Sequence, residues 1–295
     1  MRPFICFALL VLATNAQSAD KRPKITGIDH ADFYTTSPEA NARFYTQLLG
    51  LTSAGPLEQG QTQRFVVGAQ FVGYSPAPDP SATNRMDHFA FATDNCAALR
   101  SYLAAQGVKV PESLSHLKEG PSFFVTDAEG HKIEFVERTL GDAGITGDPI
   151  SHHIIHVGFI VHDRAAEDHF YRDILGFHLY WHGGMKDNET DWVAMQVPDG
   201  TDWVEYMLNV KPNADQHTTG VMNHISLGVK DIKQAQAKLE SRGWKPHGDE
   251  KAQMGRDGKW QLNLYDPDFT RIELMDFKPT EKPCCSEFQG RHPSE

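Results

Sequence analysis

The chain has 295 residues, enough for two ordinary domains or one large one. Its 40% apolar share, 24 glycines and mean hydropathy of −0.46, with no apolar run near the ~20 residues a membrane helix needs, exclude a polytopic membrane protein. A balance of 28 Lys plus Arg against 39 Asp plus Glu gives −11, and without a basic stripe this repels phosphate backbones, so no nucleic-acid partner is expected.

Residues 1–19 read as a leader rather than as part of the fold. Arg2 gives a positive start, Pro3 to Ala13 is a short apolar run, and Thr14 to Ala19 is small and polar. This is the layout of a signal peptide cleaved after Ala16, Ser18 or Ala19. The alternative is a buried N-terminal helix, against which stands the abrupt switch to Lys21-Arg22-Pro23-Lys24. The apolar run is too short for a permanent membrane anchor, and Cys6 comes too early for a lipoprotein cysteine. The expectation is an exported protein, periplasmic or secreted, with no membrane insertion after cleavage.

Four later segments open alike. Ile28-Asp29-His30-Ala31-Asp32-Phe33 is matched by Met86-Asp87-His88-Phe89-Ala90-Phe91, Ile155-His156-Val157-Gly158-Phe159 and Asn223-His224-Ile225-Ser226-Leu227. Each is a strand whose Ala31/Phe33, Phe89/Phe91, Val157/Phe159 or Ile225/Leu227 pair lies on one face, with the histidine on the other. The histidines lie 58, 68 and 68 residues apart, a period of one small supersecondary unit. A helix follows each strand. In the first copy Ser37 is the expected cap, Pro38 the first-turn proline, Phe44, Tyr45, Leu48 and Leu49 the apolar stripe and Gly50 the stop. The third copy repeats this as Phe170-Tyr171-Arg172-Asp173-Ile174-Leu175-Gly176, and the second and fourth helices stop at Gly107 and Gly243.

Strand-like stretches follow at Gln63 to Tyr74, Ser122 to Val136, Asp191 to Met207 and Trp260 to Phe277. The unit is βαβββ, four times, in an α+β fold. One unit cannot close a core, so pairs are expected to form two curved eight-stranded half-barrels with helices outside and a cup inside. The boundaries are 25–138 for the first pair, a Gly- and Asp-rich linker over 139–150, 151–278 for the second pair and a tail over 279–295. Cys96, Cys284 and Cys285 make no disulfide framework; the adjacent pair could hold metal, bridge to Cys96 or simply tuck against the body.

The polar positions recur with the units. Glu134, Glu205 and Glu273 each interrupt an apolar strand, while the first copy ends in Phe71-Val72-Gly73-Tyr74 with no carboxylate. A carboxylate there is expensive unless paired, hydrogen-bonded or bound to metal. Singly, each such Glu or His reads as an ordinary satisfied side chain. Jointly they do not, because His156 to Glu205 and His224 to Glu273 both span 49 residues. Imidazole and carboxylate donors with room for water suit Zn, Ni, Co, Mn or Fe(II). His30, His88 and Glu134 form a second candidate metal set. His152, His153, His162, His169, His178, His182, His217 and His247 read as solvated strand entries, edges or loops, and Trp192, Trp203 and Phe269 as core or cup wall.

The strand-opening histidines, the Phe-Tyr-x-x-x-Leu-Gly helix ends and Asp266-Pro267-Asp268-x-x-x-Ile272-Glu273-Leu274 resemble the vicinal oxygen chelate superfamily over nearly all of Ile25 to Phe277. That superfamily includes glyoxalase I, extradiol ring-cleavage dioxygenases, fosfomycin-resistance enzymes and bleomycin-binding proteins, which share a metal cup rather than a reaction. The resemblance to glyoxalase I implies metal ligands His156, Glu205, His224 and Glu273, with Glu273 or Glu205 as the catalytic base of a lyase or isomerase. The resemblance to the extradiol enzymes implies an Fe(II) triad of His156, His224 and Glu273. The extradiol pattern departs here: its further histidines are missing between Gly183 and Gln216 and between Gly248 and Glu273, and its tyrosine is Asn263, with Tyr265 a possible substitute on the same strand face.

The leading expectation is therefore glyoxalase-like chemistry. Because glutathione is not normally handled in exported compartments, the substrate is expected to be another vicinal diol, hydroxy-carbonyl or phosphonate. Ring cleavage and a non-catalytic binding protein are the alternatives, and the oligomeric state is a monomer or homodimer. Whether neighbouring units pair, or swapped pairing groups His88 and Glu134 with His156 and Glu205, is open at this level.

Overall fold

The computed structural model describes residues 21–56, 60–117, 120–138, 146–246 and 250–295. The expected leader, linker residues 139–145 and His247 lie outside the described residues. The first unit is β1 (Ile25–Thr35), α1 (Pro38–Arg43), β2 (Thr52–Ala54), β3 (Gln63–Val67) and β4 (Gln70–Pro76). The second is β5 (Met86–Thr93), α2 (Cys96–Ala105), β6 (Ser115–Leu117), β7 (Gly120–Thr126) and β8 (Lys132–Val136). The third is β9 (Ile154–Ile160), α3 (Arg164–Asp168), β10 (His178–Gly183), β11 (Trp192–Gln196) and β12 (Trp203–Met207). After the short helix α4 (Gln216–Met222) comes the fourth: β13 (His224–Val229), α5 (Ile232–Ser241), β14 (Gln253–Met254), β15 (Trp260–Tyr265) and β16 (Arg271–Asp276).

Each pair of units makes one eight-stranded mixed sheet. The strand orders are β2-β3-β4-β1-β5-β8-β7-β6 and β10-β11-β12-β9-β13-β16-β15-β14. Neighbouring units therefore pair, through antiparallel β1/β5 and β9/β13 seams, and swapping does not occur. The α+β architecture of two such curved sheets is the one the repeats imply.

The alternation places its residues as physics requires. Ala31, Phe33, Phe89, Phe91, Val157, Phe159, Ile225 and Leu227 are all fully buried in the main core. The helices are shorter than their apolar stripes suggest. α1 and α3 widen into π-helical turns at Phe44–Leu48 and His169–Ile174, and Gly50 and Gly176 end them with φ of 70° and 78°. Ser37 makes no side-chain cap. Asp268 of the opposite half instead reaches the Thr36 N–H at 3.1 Å and the Thr35 hydroxyl at 2.6 Å.

This last contact belongs to a clasp between the halves. Tyr74 donates to Asp266 at 2.6 Å, and the Glu129 N–H donates to buried Glu167 at 2.9 Å. Gln70 bonds Ile154 through both its amide oxygen and nitrogen, and Phe89 stacks on Phe159. The tail lies along the second cup: Phe288 packs on Tyr180, His292 meets the Tyr180 hydroxyl at 2.6 Å, and Trp181 donates to the Cys284 carbonyl. Cys284 and Cys285 are disulfide-bonded to each other, while Cys96 is free and buried, so no bridge to it forms. His153 is no solvated entry, since it joins Asp202 at 2.8 Å and the Ser294 carbonyl at 2.6 Å. Phe269 is half exposed, contrary to its expected place in the core or cup wall. Among the described residues no helix is long and apolar enough to cross a membrane.

Candidate metal centres

Strand register assembles the sites. His156 on β9 faces Ser226 on β13, which faces Glu273 on β16, so His156 and Glu273 share one row across the sheet. One row over, Glu205 on β12, Gly158 on β9 and His224 on β13 are aligned. Alternating side chains put all four on the concave face.

His156 Nε2 lies 3.0 Å from His224 Nε2 and 3.2 Å from Glu273. Glu205 stands 3.8 Å and 3.6 Å from the same two nitrogens. The His156, His224 and Glu273 donor atoms all lie within 4.8 Å of one another and are buried. His224 donates from Nδ1 to the Met222 carbonyl at 2.9 Å, which leaves Nε2 as its acceptor, facing His156 and contacted at 2.7 Å by the Arg271 guanidinium that a metal would have to displace. Glu273 Oε2 is buried and makes no hydrogen bond. Two imidazole nitrogens and an orphaned carboxylate oxygen converging in a buried space are the donor set a divalent cation satisfies. The residues fit such a metal.

The two glutamates are held in different charge states. Burial opposes ionisation of Glu273, but the Arg271 guanidinium and the contact with His156 outweigh it and hold the carboxyl at about 2. Burial, with the charge of Glu273 beside it, pushes Glu205 up to about 8. Burial lowers both histidines, and Arg271 lowers His224 further, so the imidazoles are neutral and able to bind metal.

The first sheet repeats the triad. His30, Ala90 and Glu134 share a row, and His88 lies one row away beside Asp32 and Gly73. The donor atoms of His30, His88 and Glu134 again lie within 4.8 Å of one another. Here both Nδ1 atoms are held by carboxylates, His30 by Asp29 at 2.7 Å and His88 by Asp87 at 3.0 Å. The two Nε2 atoms therefore face each other at 3.1 Å, and only a proton or a cation can stand between them. Burial would lower His30, but its hydrogen bond to Asp29 and the Glu134 carboxylate 3.3 Å away outweigh that and raise it to about 10. Both Glu134 oxygens are buried without a hydrogen-bond partner, so this set also fits a metal.

The halves differ at the fourth position. Glu205 sits opposite Gly158, whereas in the first sheet Gly73 sits opposite Asp32. A Cβ on Gly73 would lie 1.9 Å from the Asp32 carboxylate, and one on Gly158 would lie 2.0 Å from the His224 ring. Asp32 takes the room at Gly73 from the neighbouring strand, its carboxylate held by Gln61 at 3.1 Å and outside the His30/His88/Glu134 donor set. The first cup is also occupied by its own side chains: Phe71 stacks on His30 at 4.4 Å, with the Arg64 and Arg138 guanidiniums over its ring. At the places of Arg64 and Phe71 the second cup has Ala194 and Trp203. There a cavity of about 100 Å³ opens, lined by Trp192, Trp203, Tyr180, Glu205, Glu273 and Arg271 among others.

Sequence reasoning missed four contributors. Asp29 and Asp87 stand directly before their histidines, so the Asp-His dipeptide was a visible signal. Arg271 and Lys259 were not visible as site residues, because only the folded sheet brings them to the cup. Tyr265 is not among the residues lining this cavity and instead borders a depression beside His217 and Glu250.

Comparison with solved structures places the same fold in ring-cleaving enzymes. The 2,3-dioxygenase LapB from Pseudomonas sp. KL28 is 18% identical, with 93% of this chain and 96% of that one covered at a TM-score of 0.65. Homoprotocatechuate 2,3-dioxygenase from Brevibacterium fuscum, in an anaerobic complex with 3,4-dihydroxyphenylacetate, is 17% identical over 86% of this chain and 81% of that one, with a TM-score of 0.61. No curated protein sequence matches the chain. Residues 27–135 and 153–274 each match the family described as the Glyoxalase/Bleomycin resistance protein/Dioxygenase superfamily, one match per sheet. The chain belongs to that superfamily.

Proposed function

We propose that the second sheet carries the reaction centre, with His156, His224, Glu273 and Glu205 as ligands of a divalent metal, and that it catalyses glyoxalase I-like lyase or isomerase chemistry on a small vicinal-oxygen substrate. The observation that carries this reading is Glu205, a second carboxylate within 3.8 Å of both imidazole nitrogens and held in a different charge state from Glu273. Paired carboxylates pushed apart in this way divide the work of ligand and proton carrier. A divalent metal held there would act as a Lewis acid on the substrate oxygens. Glu205 takes the proton from the hydroxyl-bearing carbon and returns it to the adjacent carbonyl carbon, while the hydroxyl proton passes to the former carbonyl oxygen, so that the two oxygens exchange roles with no net gain or loss of protons. Glu273 stays ionised beside Arg271. Trp192 and Trp203 give the cavity an apolar wall beside the two glutamates.

The first triad, His30, His88 and Glu134, is proposed as a second metal site, with His88 also lining a cavity of about 430 Å³ beside Tyr34, Asp87 and Lys132. The leader-like residues 1–19 support export to the periplasm or beyond, and with it a substrate other than a glutathione adduct. A monomer or homodimer acting on a small molecule completes this reading.

The test is proton exchange. Metal-loaded protein is incubated with dihydroxyacetone and lactaldehyde in D2O, and loss of the C–H signal is followed by NMR. Exchange that falls at least about 100-fold in Glu205→Gln supports the reading. Exchange unaffected by both Glu205→Gln and Glu273→Gln refutes it. A second reading, Fe(II) extradiol ring cleavage, is favoured by the compact His156/His224/Glu273 triad. Iron in the protein and oxygen uptake with catechols would establish it in place of the first.

A further inference from the structure

Two cations at the second cup have no ion-pair partner. Arg271 lays its guanidinium against the His224 ring, 2.7 Å from Nε2 and 3.0 Å from Nδ1. Its Nε is buried without a hydrogen-bond partner. Lys259 is fully buried, with Nζ 4.4 Å from the centre of the Trp203 ring and 5.2 Å from those of Tyr180 and Phe288. Its side-chain hydrogen bond is a long one, 3.4 Å to the Tyr180 hydroxyl. Among the described residues no carboxylate comes within 4.0 Å of either group, whereas Arg256 at the same cup is paired with Asp187.

The first half shows that the fold does not require these charges. By register, the place of Arg271 is taken there by Lys132, which pairs with Asp87 at 2.7 Å. The place of Lys259 is taken by Gly120, two residues before the Ser122 that matches Gln261. Burying a cation without an ion-pair partner opposes folding. Asp257, Glu273 and Glu205 temper that cost only from a distance; a bound divalent metal would claim the charge of the two glutamates, and Asp257 offsets one of the two cations. The loaded cup is then left with a surplus of positive charge against aromatic walls.

We propose that the substrate of this cup is a small hydroxy-carboxylate, whose acidic group is bound by Arg271 and favoured by the field of Lys259 while its vicinal oxygens face the triad. This rests on the reading of the second cup as the reaction site. It makes Arg271 a binding residue and Lys259 a specificity residue of the second cup.

The experiment compares lactate with lactamide, which match in shape and differ in charge. Binding to the full chain as purified with its metal is followed by quenching of tryptophan emission, for which Trp181, Trp192 and Trp203 at the cavity are built-in reporters. Metal content is measured on the same samples. The expected result is a preference for lactate of at least about tenfold, falling by about tenfold in both Arg271→Met and Lys259→Met and kept in Lys259→Arg. Equal binding of the two probes by metal-loaded protein would overturn the inference while leaving the reaction site standing. A lactate preference unchanged in both Met variants would also overturn it, since the metal alone would then be selecting the carboxylate. Should Lys259→Met fail to fold, the Arg271→Met and wild-type comparisons still decide. Protein that takes up no metal and binds neither probe would remove the reaction site itself.

Discussion

Glu167 offers a quantitative test of the clasp between the halves. Burial and the neighbouring Asp127 push this carboxyl up to about 8, and one of its oxygens is buried without a hydrogen-bond partner. The folded protein thus keeps a proton that the unfolded chain, with a glutamate near 4.3, releases. Because the folded value is the higher one, the stability linked to this proton is fully present below about pH 4.3 and is lost as pH rises toward about 8. At about 1.4 kcal/mol per pH unit, the loss between pH 5 and 7.5 is about 3 kcal/mol. Glu167→Gln reproduces the protonated shape without the titration. The first half already uses this solution, since Asn41 holds the corresponding place in α1, four residues before Tyr45 as Glu167 is four before Tyr171. Thermal unfolding of wild type and variant at pH 5 and 7.5 should show the variant gaining roughly 6–10 °C over wild type across that interval, at a few degrees per kcal/mol. A variant whose melting temperature tracks wild type at both pH values would refute the reasoning.

Three further outcomes follow from the geometry. Gly158→Ala places a Cβ 2.0 Å from the His224 ring, so it should abolish metal at the second triad while leaving far-ultraviolet circular dichroism and the first triad intact. Asp29→Asn weakens the carboxylate that orients His30, and zinc titration should show about a 10- to 100-fold weaker first site with the second unchanged. Tyr74→Phe strips buried Asp266 and Tyr45 of a shared partner, and urea unfolding should report a loss of about 1–3 kcal/mol.

Much of the architecture was written in short-range pattern. The His-x-apolar strand openings and the Phe-Tyr-x-x-x-Leu-Gly helix ends repeat closely enough to reveal four units, and equal 49-residue spacings tie His156 to Glu205 and His224 to Glu273. What escaped depended on neighbours far along the chain. The first half has no carboxylate at the place of Glu205, and the chain did not show that Asp32 on the next strand fills the room left at Gly73 while staying outside the triad. Ser37 looked like a helix cap, but its side chain caps nothing, and Asp268, more than two hundred residues away, binds Thr35 and Thr36 just before the helix. Burial of Lys259 likewise depends on Phe288 in a tail whose sequence alone gave no reason to fold back over the cup.

Elemental analysis of protein purified without chelators or a histidine tag shows whether the two His/His/Glu triads hold divalent metal. The expectation is zinc, nickel, cobalt or manganese at two per chain, falling to one in His224→Ala and in His88→Ala. Protein that stays free of metal after repletion with each of these ions and with Fe(II) would contradict it.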